Sequence, residues 1–97
     1  MSVFASFVFL LSCDRAKDEF IADCTSGGNT SGSCECYHDY GKGSLEARHM
    51  KLFGAMASRR DDLISRAQVD LGMIGTGVAM AKIGWVVANA EKVCANR

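Results

Sequence analysis

The sequence contains no proline, a single tryptophan and no excess of either charge among its 97 residues. Eleven basic and eleven acidic side chains give a formal net charge of zero. A chain without net charge lacks the long-range field that attracts nucleic acid or an anionic lipid surface, so we expect no nucleic-acid partner. The 48% content of hydrophobic residues argues against a disordered chain, and the length leaves room for one small domain.

The sequence also lacks the short motifs that mark familiar catalytic sites. There is no G-x-S-x-G, no P-loop and no H-E-x-x-H pattern. Asp61 and Asp62 are adjacent and would diverge on a helix, which is typical of a helix start and not of paired catalytic carboxylates. We therefore expect a non-enzymatic protein with no catalytic residues and no cofactor.

Residues 1–13 form an apolar segment, and the run over residues 3–11 is interrupted by one serine. Its length is typical of the hydrophobic region of a signal peptide and is too short for a membrane-spanning helix. The end of the segment, Leu10-Leu11-Ser12-Cys13, resembles the lipobox of bacterial lipoproteins, in which a small residue precedes the lipid-bearing cysteine. The resemblance implies lipidation of Cys13 and an exported protein that is periplasmic or associated with the envelope membrane. A signal peptide begins with basic residues, whereas this segment contains none. A buried N-terminal helix or strand is therefore the alternative.

Residues 14–97 predict an all-α domain of three to five short helices, arranged as a small disulfide-crosslinked bundle or a helical hairpin. Apolar residues recur at helical spacing within residues 14–24 and 44–57, and Ser44 is the predicted N-cap of the second of these helices. Residues 25–33, TSGGNTSGS, have the composition of a loop.

The C-terminal part of the chain carries the longest periodic signal. Its apolar residues follow one another at steps of three and four, which predicts a packed seam. The seam consists of Ile64, Ala67, Leu71, Ile74, Val78, Ala81, Trp85 and Ala88. Each glycine costs a helix interior about 1 kcal/mol relative to alanine, so the three glycines within residues 72–77 predict a break. We expect one helix over residues 61–71 and another over residues 77–94.

The cysteines predict a disulfide framework, because the chain is short and carries features of an exported protein. With Cys13 assigned to the lipid, the four cysteines that remain are Cys24, Cys34, Cys36 and Cys94. A bond between Cys34 and Cys36 would close a very tight ring. Both other pairings join this cysteine pair to the first helix and to the last helix, and the sequence leaves the choice between them open.

A metal or redox site is the alternative for the same region, with Cys24, Cys34, Cys36 and His38 as its ligands. Thiolates and an imidazole are ligands that zinc accepts. However, the spacing of Cys34 and Cys36 differs from that of the usual zinc modules, and donors at positions i, i+2 and i+4 do not share a helical face. Structural disulfides are therefore the favoured prediction.

Residues 71–90 form an apolar stretch that contains a single charge, Lys82. Twenty residues suffice to cross a bilayer, but a cation in the middle of the span opposes insertion. Small residues along one side would let another helix approach closely. The residues predicted to form this interface are Gly77, Ala81, Gly84, Trp85 and Ala88.

A chain of this size can hardly enclose a helix that is apolar on most faces. We therefore expect residues 71–90 to contact a protein partner, a second copy of the chain in a pilin-like assembly, or a membrane. The function that follows is that of a small accessory or structural subunit of a bacterial envelope or membrane-associated complex. A small metal-binding or redox protein of the same compartment is the alternative.

Overall fold

The computed structural model describes residues 15–95, which fold into four α-helices. These are α1 over residues 15–26, α2 (Ser31–Gly41), α3 (Ala47–Ser58) and α4 (Asp61–Cys94). None of the residues from 15 to 95 lies in a strand. The all-α prediction is thus confirmed, together with its disulfide crosslinks. The signal-like segment 1–13 and the predicted lipidation of Cys13 lie outside the described residues.

The connection between α1 and α2 is shorter than predicted. It occupies residues 27–30, whereas the loop was predicted over residues 25–33. Thr30 is the N-cap of α2, and its hydroxyl accepts a hydrogen bond from the backbone N–H of Ser33 at 3.1 Å. This cap satisfies one of the free donors at the helix start, so the serines and glycine that follow form a helical turn instead of a loop.

Helix α3 begins later than the sequence predicts. Glu46 takes the N-cap position that was predicted for Ser44, and its side chain makes no capping hydrogen bond. Leu45, just before the cap, is buried in the core. His49 is also buried, and its Nε2 lies 3.3 Å from the carboxylate of Glu46. Arg59 ends the helix in the left-handed conformation, which turns the chain directly into α4.

The core forms where α1, α2 and α3 meet around three aromatic rings. The rings of Phe20 and Phe53 lie 5.3 Å apart in an edge-on arrangement, and Tyr37 meets Phe53 edge-on at 6.2 Å. Gly54 allows this close approach, because a Cβ there would lie 3.1 Å from the ring of Phe20. The second half of α4 covers the cluster with its buried residues Ala79, Ile83, Val86 and Ala90.

Helix α4 is broken at one glycine only. Gly72 has φ 75° and ψ 175°, outside the helical region, whereas the chain continues as helix from residue 73 to Cys94. The hydroxyl of Thr76 donates to the carbonyl of Gln68 at 3.2 Å. Eight residues of a straight helix would separate these groups by about 12 Å, so the helix axis turns sharply at Gly72. The predicted break is confirmed, but the second segment starts earlier than the predicted residue 77.

The break changes which side of α4 faces the core. Up to Leu71 the predicted seam is buried or half-buried, whereas after Gly72 it is exposed and Trp85 is 58% accessible. The buried residues of the second segment lie one or two positions after those of the predicted seam, at Ala79, Ile83, Val86 and Ala90. One residue corresponds to about 100° of helix rotation. The prediction of a single continuous seam with Trp85 packed in it is therefore wrong, because the conformation of Gly72 rotates the second segment.

Candidate interaction surface

Two disulfides connect α1 and the end of α4 to α2. Cys24 in α1 is bonded to Cys34, with 5.8 Å between the Cα atoms. Cys36, two residues after Cys34 in α2, is bonded to Cys94 at the end of α4, with 5.6 Å between the Cα atoms. The sequence left two pairings open. The structure has the one in which Cys24 bonds to Cys34, the nearer of the two α2 cysteines along the chain.

These bonds occupy the cysteines of the alternative metal site. The sulfurs of Cys24, Cys34 and Cys36 are covalently paired, so they offer no thiolate to a metal. His38, the fourth predicted ligand, is mostly buried and stacks at a tilt against Phe20, with 5.4 Å between the ring centroids. Within residues 15–95, no group of three His, Cys, Asp or Glu side chains is arranged to hold a metal ion.

A small charged network joins α1 to α2 beside His38. The Lys17 ammonium lies 3.4 Å from the Glu35 carboxylate and 3.3 Å from that of Asp39. His38 Nδ1 lies 3.2 Å from the same Asp39 oxygen. The hydrogen bond from His38, followed by that from Lys17, lowers the pKa of Asp39 below its ordinary value of 3.8. The hydrogen bond to Asp39 raises the pKa of Lys17 above 10.5.

Replacing Asp39 by Asn will lower the midpoint of thermal unfolding at neutral pH by less than about 4 °C. The effect is small because the ion pair between Lys17 and Asp39 is accessible to solvent. The folded pKa of Asp39 lies below its unfolded value of 3.8. Its contribution is therefore complete above 3.8 and is lost as the pH falls through the lowered folded pKa. Thermal melts across this range will show the two proteins converging at the acidic end, where Asp39 is protonated in the folded state as well. A difference that persists there, or an equal effect of the exposed Asp18→Asn control, would exclude this network as its cause.

A cleft of about 380 Å³ opens between α1, α3 and the first segment of α4. Its walls combine the apolar side chains of Phe20, Met50 and Leu63 with charged side chains of both signs. The charged residues are Glu19, Asp23, Lys51, Arg66 and Asp70. Since acidic and basic groups are mixed, the cleft has no single-sign field that would select an anion or a cation.

The predicted interface residues share one exposed side of α4, which we call the outer face. It consists of Gly77, Ala81, Gly84, Trp85 and Ala88. All five are exposed in the single chain. A Cβ added at Gly77 or Gly84 would meet nothing within 4 Å, so no other part of the described chain covers this side. Val78 adds a further exposed apolar side chain beside it.

Helix α4 is long and apolar enough to cross a membrane. An 18-residue stretch of it has a mean hydropathy of 1.5, and only 17% of that stretch is buried within the chain. The core helix of a globular protein is mostly buried, so this low fraction sets α4 apart from one. Lys82 lies within the apolar stretch and opposes complete insertion.

Sequence reasoning missed a second exposed apolar group next to Gly72. Val69, Met73 and Ile74 are 80%, 93% and 85% exposed. Ile74 was assigned to the packed seam, and Val69 was assigned to no group at all. The only signal for them was the glycine-rich composition around residue 72, which predicts a break without giving its direction.

Neither a protein-family model, nor a curated protein, nor a solved structure matches this chain. Its function must therefore be inferred from the chemistry of its own surfaces.

Proposed function

We propose that this chain is a non-enzymatic structural or accessory subunit of a bacterial envelope or membrane-associated complex, which binds another helix through the outer face of α4. The observation that carries the proposal is the exposure of this apolar face in a chain whose core is formed elsewhere. Exposed contiguous apolar surface on a small protein marks an interaction site.

The spacing of the outer face favours a helix as the bound element. Gly77, Ala81, Gly84 and Ala88 follow one another at steps of four, three and four, so they form a straight strip along the helix axis. Small residues in such a strip let a second helix approach until the two backbones are in contact. Trp85 borders the strip and offers a large apolar surface with a polar N–H at its edge.

A second copy of the chain is the occupant that we favour. The strip presents shallow grooves over its glycines and alanines, next to the projecting side chains of Val78 and Trp85. A face that carries both grooves and projections can complement itself across a twofold axis. The zero net charge of the chain removes the repulsion that would keep two copies apart.

The two disulfides support an oxidising compartment. Such bonds persist in secreted and periplasmic proteins and are rare in the reducing cytosol. The apolar segment 1–13 that precedes α1 agrees with export, as does its lipobox-like end at Cys13. These features support our proposal that the subunit acts in the bacterial periplasm or at an envelope membrane.

Replacing Gly84 by Leu will weaken self-association at least tenfold without destabilising the monomer. The added side chain would fill the strip that a second helix must approach, whereas within one chain its Cβ meets nothing within 4 Å. Leucine is also the better helix former by up to about 1 kcal/mol. Sedimentation velocity over a range of concentrations measures the association, and thermal melts of the dilute protein measure the stability of the monomer.

Lys82→Leu is the matched control for this experiment. It adds the same side chain at another exposed position of α4, two residues away and therefore on another side of the helix. It should leave the dissociation constant within about threefold of the wild type. A wild-type chain that stays monomeric at all concentrations, or a Gly84→Leu variant that associates as strongly as the wild type, would refute the proposal.

A further inference from the structure

The turn at Gly72 carries a second apolar surface, which differs from the outer face in shape. We call Val69, Met73 and Ile74 the tip. Between Ala67 and Ala79, both buried, none of the intervening residues is buried. Gly72 itself has open space where a Cβ would lie, with nothing within 4 Å. The tip is therefore a projection from the body of the fold.

The turn is poor in charged and polar side chains. Asp70, the one charged residue within residues 69–74, lines the cleft, and residues 71–81 carry no charge. Thr76, the one hydroxyl residue of residues 71–81, bonds to a backbone carbonyl. Three large apolar side chains on this one turn are at least 80% exposed. Burying each of them would stabilise the protein by about 1.5–3 kcal/mol, so leaving them in water is unfavourable. A projecting apolar turn fits a medium that surrounds it, such as the acyl region of a bilayer, better than a partner surface that would need a matching cavity.

The described chain begins near the segment of α4 that leads to the tip. Residues 1–14 precede α1, and their apolar run covers residues 3–11. Ala16, at the beginning of the described chain, lines the same cleft as Arg66 and Asp70. The described chain therefore begins beside this segment of α4, and the apolar run precedes that point in the sequence.

We propose that the tip inserts into the interfacial layer of a lipid bilayer, while the rest of α4 remains outside it. Insertion by one helical turn places its side chains about 5–10 Å deep, at the boundary of headgroups and acyl chains. Because no basic residue lies within residues 69–74, the contact does not require anionic lipid, so it works on zwitterionic lipid with little dependence on salt. This contact does not depend on helix binding at the outer face.

A tryptophan moved to the tip tests this directly in the full chain. The variant Met73→Trp with Trp85→Phe carries its only indole at the tip, and Val93→Trp with Trp85→Phe is the matched control. Val93 is 52% exposed on the same helix, near its far end. Both proteins are mixed with phosphatidylcholine vesicles, with and without bromine on the acyl chains, which quenches indoles that reach them. Circular dichroism confirms equal helix content.

We expect the indole at position 73 to shift to shorter emission wavelengths on vesicles and to be strongly quenched by brominated lipid. The indole at position 93 should stay at long wavelength and remain unquenched. Three results would overturn the proposal: no response at position 73, equal quenching at both positions, or a shifted emission at position 73 already without vesicles. The last would mean that protein covers the tip. Sedimentation of Gly84→Leu without vesicles tests the outer face separately, so the failure of one proposal is distinguishable from the failure of the other.

Discussion

Removing the bond between Cys36 and Cys94 by changing both residues to Ala will lower the midpoint of thermal unfolding by about 15–30 °C. This disulfide joins residues that are 58 positions apart and ties the end of α4 to α2. Closing a loop of that length restricts the unfolded chain by about 4 kcal/mol, a large share of the stability of a small domain. Alanine is preferred to serine because Cys94 is fully buried, where a hydroxyl would need a hydrogen-bond partner.

The bond between Cys24 and Cys34 provides an internal comparison. It closes a loop of ten residues, which is worth about 3 kcal/mol on the same scale. Its removal by a double change to Ala should therefore lower the midpoint less than removal of the long-range bond does. Differential scanning calorimetry of both variants decides the order. Equal midpoints for both variants and the wild type would contradict a structural role for the disulfides.

Replacing Phe20 by Ala will destabilise the chain by about 3–5 kcal/mol. Phe20 is buried between three helices, where its ring contacts those of His38 and Phe53 and closes over Gly54. Truncation leaves a cavity at the junction of α1, α2 and α3, which packed neighbours fill only in part. Chemical denaturation monitored by circular dichroism measures the loss.

Trp85 serves as the contrasting aromatic residue. It is 58% exposed, so Trp85→Ala should change the stability of the dilute monomer by less than about 1 kcal/mol. Truncation of a tryptophan packed in the core would lower the free energy of unfolding by as much as Phe20→Ala does. If the two changes were equally destabilising in dilute solution, the second segment of α4 would face the core with its other side, and the outer face would not exist.

The overall architecture could be predicted from local patterns. Apolar residues at helical spacing indicated the helices, because that spacing survives in any packing that buries one helix face. The tight ring that Cys34 and Cys36 would form excluded one pairing, which left two cross-links to α2. The choice between the two depends on how α2 is oriented against its neighbours, and that information is tertiary.

The identity of the exposed side of α4 could not be predicted. Gly72 marked a break, but glycine is compatible with many backbone conformations, and each would rotate the following helix differently. The positive φ that Gly72 adopts places Ala79 and Ile83 in the core and leaves Trp85 outside. Likewise, the cap at Thr30 depends on a side-chain hydrogen bond that makes a helix start out of a sequence with loop composition.

Fluorescence of Trp85 as a function of protein concentration tests the central proposal most directly. Trp85 is the only tryptophan in the chain, and it lies on the outer face, so the emission of the protein reports this surface alone. We expect the emission to move to shorter wavelengths as the wild-type chain associates, and to stay at long wavelengths in Gly84→Leu at the same concentrations. An indole that remains exposed to solvent at every concentration of the wild-type chain would contradict helix docking between copies on the outer face.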